Sequence, residues 1–434
     1  MKRRSFLGTL AKGLGAATVG TLFGPETTRR VEAASRRLAG ISPVEAARDE
    51  VYWRDIQQAF TVTRSLINLN SGGVSPSPRI VTEALVRYIW EQEEAPVYTM
   101  WQILEPRREV VRSGLAELFG CDREEIALVR NASEALEILL NGFDLQSGDE
   151  VVTSEHDYPR MRTTLDQRRR REGIDIKMFP VATPTEDTNV LVEGFARAIT
   201  PRTKLILVSH QVNITGQIFP VKKIVELARP RGIEVIVDGA HSFAQFAFTQ
   251  SDLGCDYFGT SLHKWLLAPK GTGMLYVRRD KIKKVWPLMA APEEMNDDIR
   301  KFEEIGTHPA ANEVATGEAL TFHNTIGSER KEARLRYLQH YWAERLQQLP
   351  NIRLHTSLKP EMSCAIATVE ITGVDTKALG EYLWDKHYII VAPILREDFQ
   401  GLRITPNLFS TLEELDYFCD VMEHVAKKGL PKSA

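Results

Sequence analysis

The runs IALV (126–129), EVVTS (150–154), IDIKMFPV (174–181), KLILVSH (204–210) and IEVIVDGA (233–240) constrain this chain most. They are nearly continuous in aliphatic residues, with little polar alternation. Strands of that kind are buried on both faces. Segments of helical spacing separate them, such as VKKIVELARPRG between the last two. A crossover helix between successive strands makes the strands parallel and covers the sheet. The expected fold class is therefore α/β, a doubly wound and largely parallel sheet. CDYFGTSLHK and GMLYV complete the series.

The pattern changes near residue 312. Long helical segments, the strands IRLHTS, CAIATVEIT and YIIVAPI, and a final helix TLEELDYFCDVMEHVAKK read as a smaller α+β domain, 312–434. Residues 71–311 form the large domain, and 34–70 are expected to pack with the small one. The chain has 434 residues, enough for about two or three domains with real cores. A net charge of −3 gives no basic surface for nucleic acid or an anionic membrane. Four scattered cysteines without metal-ligand spacing argue against a metal site.

Residues 1–33 carry a second kind of information. Arg3 and Arg4 precede Ser5-Phe6-Leu7 and a short Gly/Ala-rich stretch that Lys12 interrupts. This resembles a twin-arginine export signal rather than a membrane anchor, with cleavage expected before Ala34. The expected partner is the twin-arginine machinery and the expected location periplasmic or extracytoplasmic. The mature form is expected to keep no membrane span.

Ligands of open parallel sheets bind at the carboxyl ends of the strands. Polar residues gather at those ends: Ser133, His156, His210, Asn213, Asp238 and Lys264. Asn131-Ala132-Ser133 opens a helix whose free N–H groups suit a phosphate. A carboxylate such as Asp238 can hold a protonated pyridine nitrogen. A lysine can bind an aldehyde covalently, and an imidazole can stack on a ring. Together these groups describe a site for pyridoxal 5′-phosphate.

VDGAHSFAQ followed by FGTSLHKWLLAPKGTG resembles the class V group of fold-type I pyridoxal-phosphate enzymes. RNASEAL, EHDYP, SHQVNITG, EEIGTHPAAN and GLRITPNLFST match the group in its order. That group includes cysteine desulfurases, isopenicillin N epimerase, kynureninase and several transaminases. The resemblance implies that Lys264 is the Schiff-base lysine, Asp238 the pyridine partner and His156 the stacking ring. It implies that Ala132, Ser133, Ser261 and His263 bind the phosphate, that His241 lies near the cofactor's phenolic oxygen, and that Asn213 lies near the cofactor's oxygen and binds the substrate. Thr307 would reach the phosphate of a neighbouring subunit in a homodimer, and Arg403 would hold the substrate's α-carboxylate. Lys270, in APKGTG, is the rival for Lys264 but does not follow Ser-x-His.

One departure narrows the reaction. YIIVAPILREDFQGLRIT holds no cysteine where desulfurases need a sulfur acceptor. The resemblance is therefore to the isopenicillin N epimerase branch, acting on a small amino acid or peptide. An aminotransferase, a β-elimination lyase and a non-catalytic binding protein are the alternatives.

Overall fold

After a short strand β1 (Ile67–Asn68), the aliphatic runs become β2 (Ile126–Val129), β3 (Glu150–Ser154), β4 (Asp175–Phe179), β5 (Thr203–Ser209), β6 (Glu234–Asp238), β7 (Tyr257–Ser261) and β8 (Gly273–Val277). They are seen in a computed structural model that describes residues 25–431. The sheet order is β2-β8-β7-β6-β5-β3-β4. β8 runs antiparallel to both its neighbours, and the other pairs are parallel.

Every residue of β2, β3, β7 and β8 is buried, as helices on both faces require. Successive residues feed opposite cores. Val152, Ile206 and Val208 join the cluster around Phe119 and Phe258, whereas Val151, Leu205 and Leu207 join that around Leu139 and Leu165. β4 is an edge strand, and its partly exposed Asp175 and Lys177 blunt that edge.

The small domain holds β9 (Ile352–Leu354), β10 (Ala367–Ile371), β11 (Ile389–Ile390), β12 (Ala392–Leu395) and β13 (Gln400–Ile404). Four of these form an antiparallel sheet in the order β12-β13-β10-β9. β11 pairs in parallel with β1, which ties residues 67–68 to this domain. Helices Ser328–Gln347, Thr376–His387 and Leu412–Lys428 share a core with the sheet through Trp342, Leu383 and Phe418.

Two expected boundaries fall inside helices. The helix Pro25–Arg37 runs through residues 33 and 34, with Val31 and Ala34 buried. The small residues that read as a cleavage signal also suit close helix packing. The helix Ala310–Ile326 runs through residues 311 and 312, and it packs on Arg79–Glu94 and Glu105–Phe119 of the large domain. Arg3 and Arg4 lie outside the described residues. No helix among the described residues is long and apolar enough to cross a membrane.

The N-terminal segment also supports the site. Val31, Tyr52, Trp53 and Ile56 share a core with Trp265 and Leu267, which directly follow Lys264.

Candidate active site

At the carboxyl ends of β5, β6 and β7 lies a cavity of about 450 Å³. Ala132, Ser133, Asn213, Asp238, His241, Ser261, His263 and Lys264 all line it. These expected residues come from four separate stretches of sequence, and the sheet brings them together. Lys270 does not line the cavity; its Nζ donates to Ser77 Oγ at 3.3 Å.

Asp238 ends β6. Its Oδ1 accepts the N–H of Ala240 at 2.9 Å. Burial pushes its pKa up to about 6, against the pull of that hydrogen bond and of Lys264. Gly239 is required by close packing: a Cβ there would lie 1.9 Å from Phe258 Cζ.

Lys264 follows β7 in a loop closed by Leu262 N–H to Thr272 O at 3.0 Å and Ala268 N–H to Leu262 O at 3.1 Å. Buried Leu267 adopts φ +65°, a conformation that costs roughly 1–2 kcal/mol for a residue with a Cβ. The packing of Trp265 and Leu267 holds this strain beside the site.

Burial lowers the Lys264 pKa to about 8; Arg403 lowers it too, and Asp238 opposes both. Its Nζ lies 3.2 Å from His241 Nε2. The indole N–H of Trp265 donates to His241 Nδ1 at 3.4 Å. With Nδ1 occupied as an acceptor, the ring proton sits on Nε2 and points at the lysine nitrogen. That arrangement needs a neutral amine as acceptor. The rate at which apoenzyme captures pyridoxal phosphate should therefore rise with pH through about 8 and then level off. Borohydride trapping at timed intervals measures it, and a rate unchanged from well below to well above that value would contradict the assignment.

Ser261 Oγ accepts the N–H of Ala132 at 2.9 Å, and Asn131 Oδ1 caps Glu134 N–H at 2.9 Å. These bonds fix the start of the helix Ala132–Gly142 against β7. His263 Nδ1 lies 3.1 Å from Thr272 O, which turns the other ring nitrogen free.

Arg403 lies on β13 and is 8% exposed. It donates to Asn213 O at 2.9 Å and to Asn70 Oδ1 at 2.7 Å. Burial lowers its pKa to about 10, and its charge acts on both Lys264 and His241. Among the described residues, Arg403 Nε and Asn213 Oδ1 are buried without a hydrogen-bond partner.

His156 stands apart from the other expected residues. Its side chain is fully buried and does not line the cavity. Nε2 pairs with Asp398 Oδ2 of the small domain at 2.9 Å. Burial lowers its pKa more than Asp398 raises it. The cause is the turn after β3. Asp157 accepts hydrogen bonds from Thr153 Oγ1, from Ser154 N and Oγ, and from Ser209 N and Oγ. So anchored, the turn sends His156 toward Asp398 and Tyr158 into the cavity. Tyr158, not His156, presents an aromatic ring to the cavity. Only the motif EHDYP carried a signal for it. Thr307 is exposed between Gly306 and His308 and lies outside the cavity of its own chain.

Residues 67–392 match the model of the family described as Aminotransferase class-V. The chain belongs to the class-V aminotransferase family. Over 388 residues it is 28% identical to the isopenicillin N epimerase of Streptomyces clavuligerus, covering 86% of this chain and 98% of that one. In fold, this class-V chain resembles a C-DES mutant with glycine covalently linked to its PLP cofactor. The TM-score is 0.74 at 21% identity, over 84% of this chain and 98% of that one. It also resembles apo cysteine desulfurase from Thermococcus onnurineus NA1, with a TM-score of 0.76 at 21% identity over 87% and 98% of the two chains.

Pyridoxal phosphate is the cofactor of this class-V enzyme, and the residues present fit it. The helix start at Ala132 and Ser133 suits the phosphate. Asp238 suits the pyridine nitrogen, and the partnerless Asn213 Oδ1 offers a buried acceptor beside it.

Proposed function

We propose that this class-V enzyme moves a proton at Cα of an amino acid, or of an amino-acid side chain of a peptide, in an isopenicillin N epimerase-like reaction. The observation that carries this reading is a lysine of lowered pKa lining the cavity, with a buried arginine near enough for its charge to lower that pKa further. Bound pyridoxal phosphate supplies an electron sink conjugated to the substrate's nitrogen.

The chain's own residues do the rest. Arg403 fixes the α-carboxylate, which orients the Cα–H bond. Lys264 takes the α-proton at Nζ, and its lowered pKa suits a base near neutral pH. Asp238 would pair with the cofactor's pyridine nitrogen and keep it protonated. His241 keeps the amine in position.

Sulfur transfer has less support. No cysteine lines the cavity, and burial pushes the Cys364 thiol up to about 12. A thiolate acceptor needs the opposite shift.

The test is a screen of amino acids in heavy water with the holoenzyme. Deuterium at Cα with loss of chirality, and no keto acid, supports the epimerase reading. Keto acid with the pyridoxamine form indicates an aminotransferase, and a lost β-group indicates a lyase. No exchange and an unchanged spectrum would leave only a binding protein.

The active unit is proposed to be a homodimer in which Thr307 serves the partner's phosphate. Sedimentation showing a fully loaded monomer at micromolar concentration would contradict it. Export through the twin-arginine route is proposed from Arg3 and Arg4. Replacing both by lysine should hold precursor in the cytoplasm, and unchanged delivery to the periplasm would refute the route.

A further inference from the structure

Epimerisation needs a second proton carrier on the face of Cα away from Lys264. Asp238, His241, His263 and Lys264 line the cavity from β6 and β7. From the β3 side, the titratable groups lining it are Tyr158 and Arg160. A guanidinium keeps its proton throughout, so it cannot serve. Among the described residues lining the cavity, Tyr158 is the remaining group.

Its placement follows from the sheet. Lys264 follows β7 and Tyr158 follows β3, with β6 and β5 between them. Three strand spacings separate those elements by about 14 Å. Asp238 ends the strand next to β7 and lies between the two. A ligand held there has the lysine on one side and the tyrosine on the other.

Two further facts fit a proton carrier. The Tyr158 phenol lines the cavity and lies near enough to Arg403 to act on its charge, so it stands on the side where Arg403 would hold the α-carboxylate. Tyr158 is 39% exposed, and its neighbour Asp157 locks the turn through five hydrogen bonds. The ring is thus held on a rigid turn and can exchange its proton with solvent.

We infer that Tyr158 is the second acid–base of the enzyme, acting on the face of Cα opposite Lys264. This rests on the epimerase reading above. One Cα–H bond breaks as Lys264 Nζ takes the proton. The electron pair is held by conjugation while a new Cα–H bond forms with the proton of Tyr158 Oη. The resulting phenolate faces the Arg403 guanidinium and regains a proton from the Lys264 ammonium through solvent. No oxidant or reductant is needed. In the reverse direction the two residues exchange roles.

Tyr158→Phe keeps the ring and removes only the proton. In heavy water, with the L and D forms of the common amino acids as probes, wild-type holoenzyme should place deuterium in both enantiomers of its substrate. Tyr158→Phe should interconvert them at least about 100-fold more slowly. It should still exchange the α-proton of the one enantiomer whose Cα–H faces Lys264, with configuration retained. Its cofactor content should be unchanged.

Nitration with tetranitromethane gives a readout independent of turnover. Peptide mapping should show Tyr158 modified in the apoenzyme and protected when pyridoxal phosphate is bound. Equal nitration in both forms would overturn the placement. Full interconversion by Tyr158→Phe would overturn the role while leaving the epimerase reading intact. Wild-type enzyme that exchanges no amino acid would overturn both.

Discussion

Lys264→Ala is expected to lower turnover by about three to four orders of magnitude. A positioned general base alone contributes about 10²–10⁴-fold, and this lysine is also proposed to capture the cofactor. The variant should still hold pyridoxal phosphate non-covalently. Asp238 and the helix start at Ala132 do not depend on the amine. The measurement is turnover together with cofactor content after gel filtration. Retention of more than about a tenth of wild-type activity would remove Lys264 from the proton transfer.

Arg403→Ala should cost roughly 2–5 kcal/mol, or about 30- to several-thousand-fold in kcat/KM. The loss has two parts: the α-carboxylate loses its fork, and Asn213 O and Asn70 Oδ1 lose their donors. Arg403→Lys separates them. A lysine keeps the charge without the planar fork, so it should recover only a small part of the efficiency. Both variants should bind cofactor as the wild type does. An unchanged kcat/KM for Arg403→Ala on a free α-carboxylate would contradict the assignment.

Asp238 and Lys264 were legible because each ends or follows an aliphatic run, and a sheet of this class gathers such ends at one edge. Ser261, His263 and Ala132 follow the same logic, since the Ser261–Ala132 bond joins the end of β7 to the helix start that follows β2, two strands away in the sheet. The choice between His156 and Tyr158 was not legible. It depends on Asp157 reaching Ser209, 52 residues away, which no local pattern records. The hold of Trp265 on His241 was hidden for the same reason: it joins two loops of the folded chain. β13 was also missed as a strand. QGLRI has only three apolar-compatible positions flanked by turn residues, and it is completed by pairing with β10 and β12. Near residue 312 the composition changes while the helix runs on, and Ala319 and Leu320 bury in the core of the large domain. Local pattern reports the element, and the partner it packs on decides the domain.

Lys264 is proposed to carry the cofactor in this cavity. Borohydride reduction of the holoenzyme followed by peptide mapping tests it most directly. One pyridoxyl group per chain is expected, on Lys264. A label on Lys270, or on no lysine at all, would contradict it.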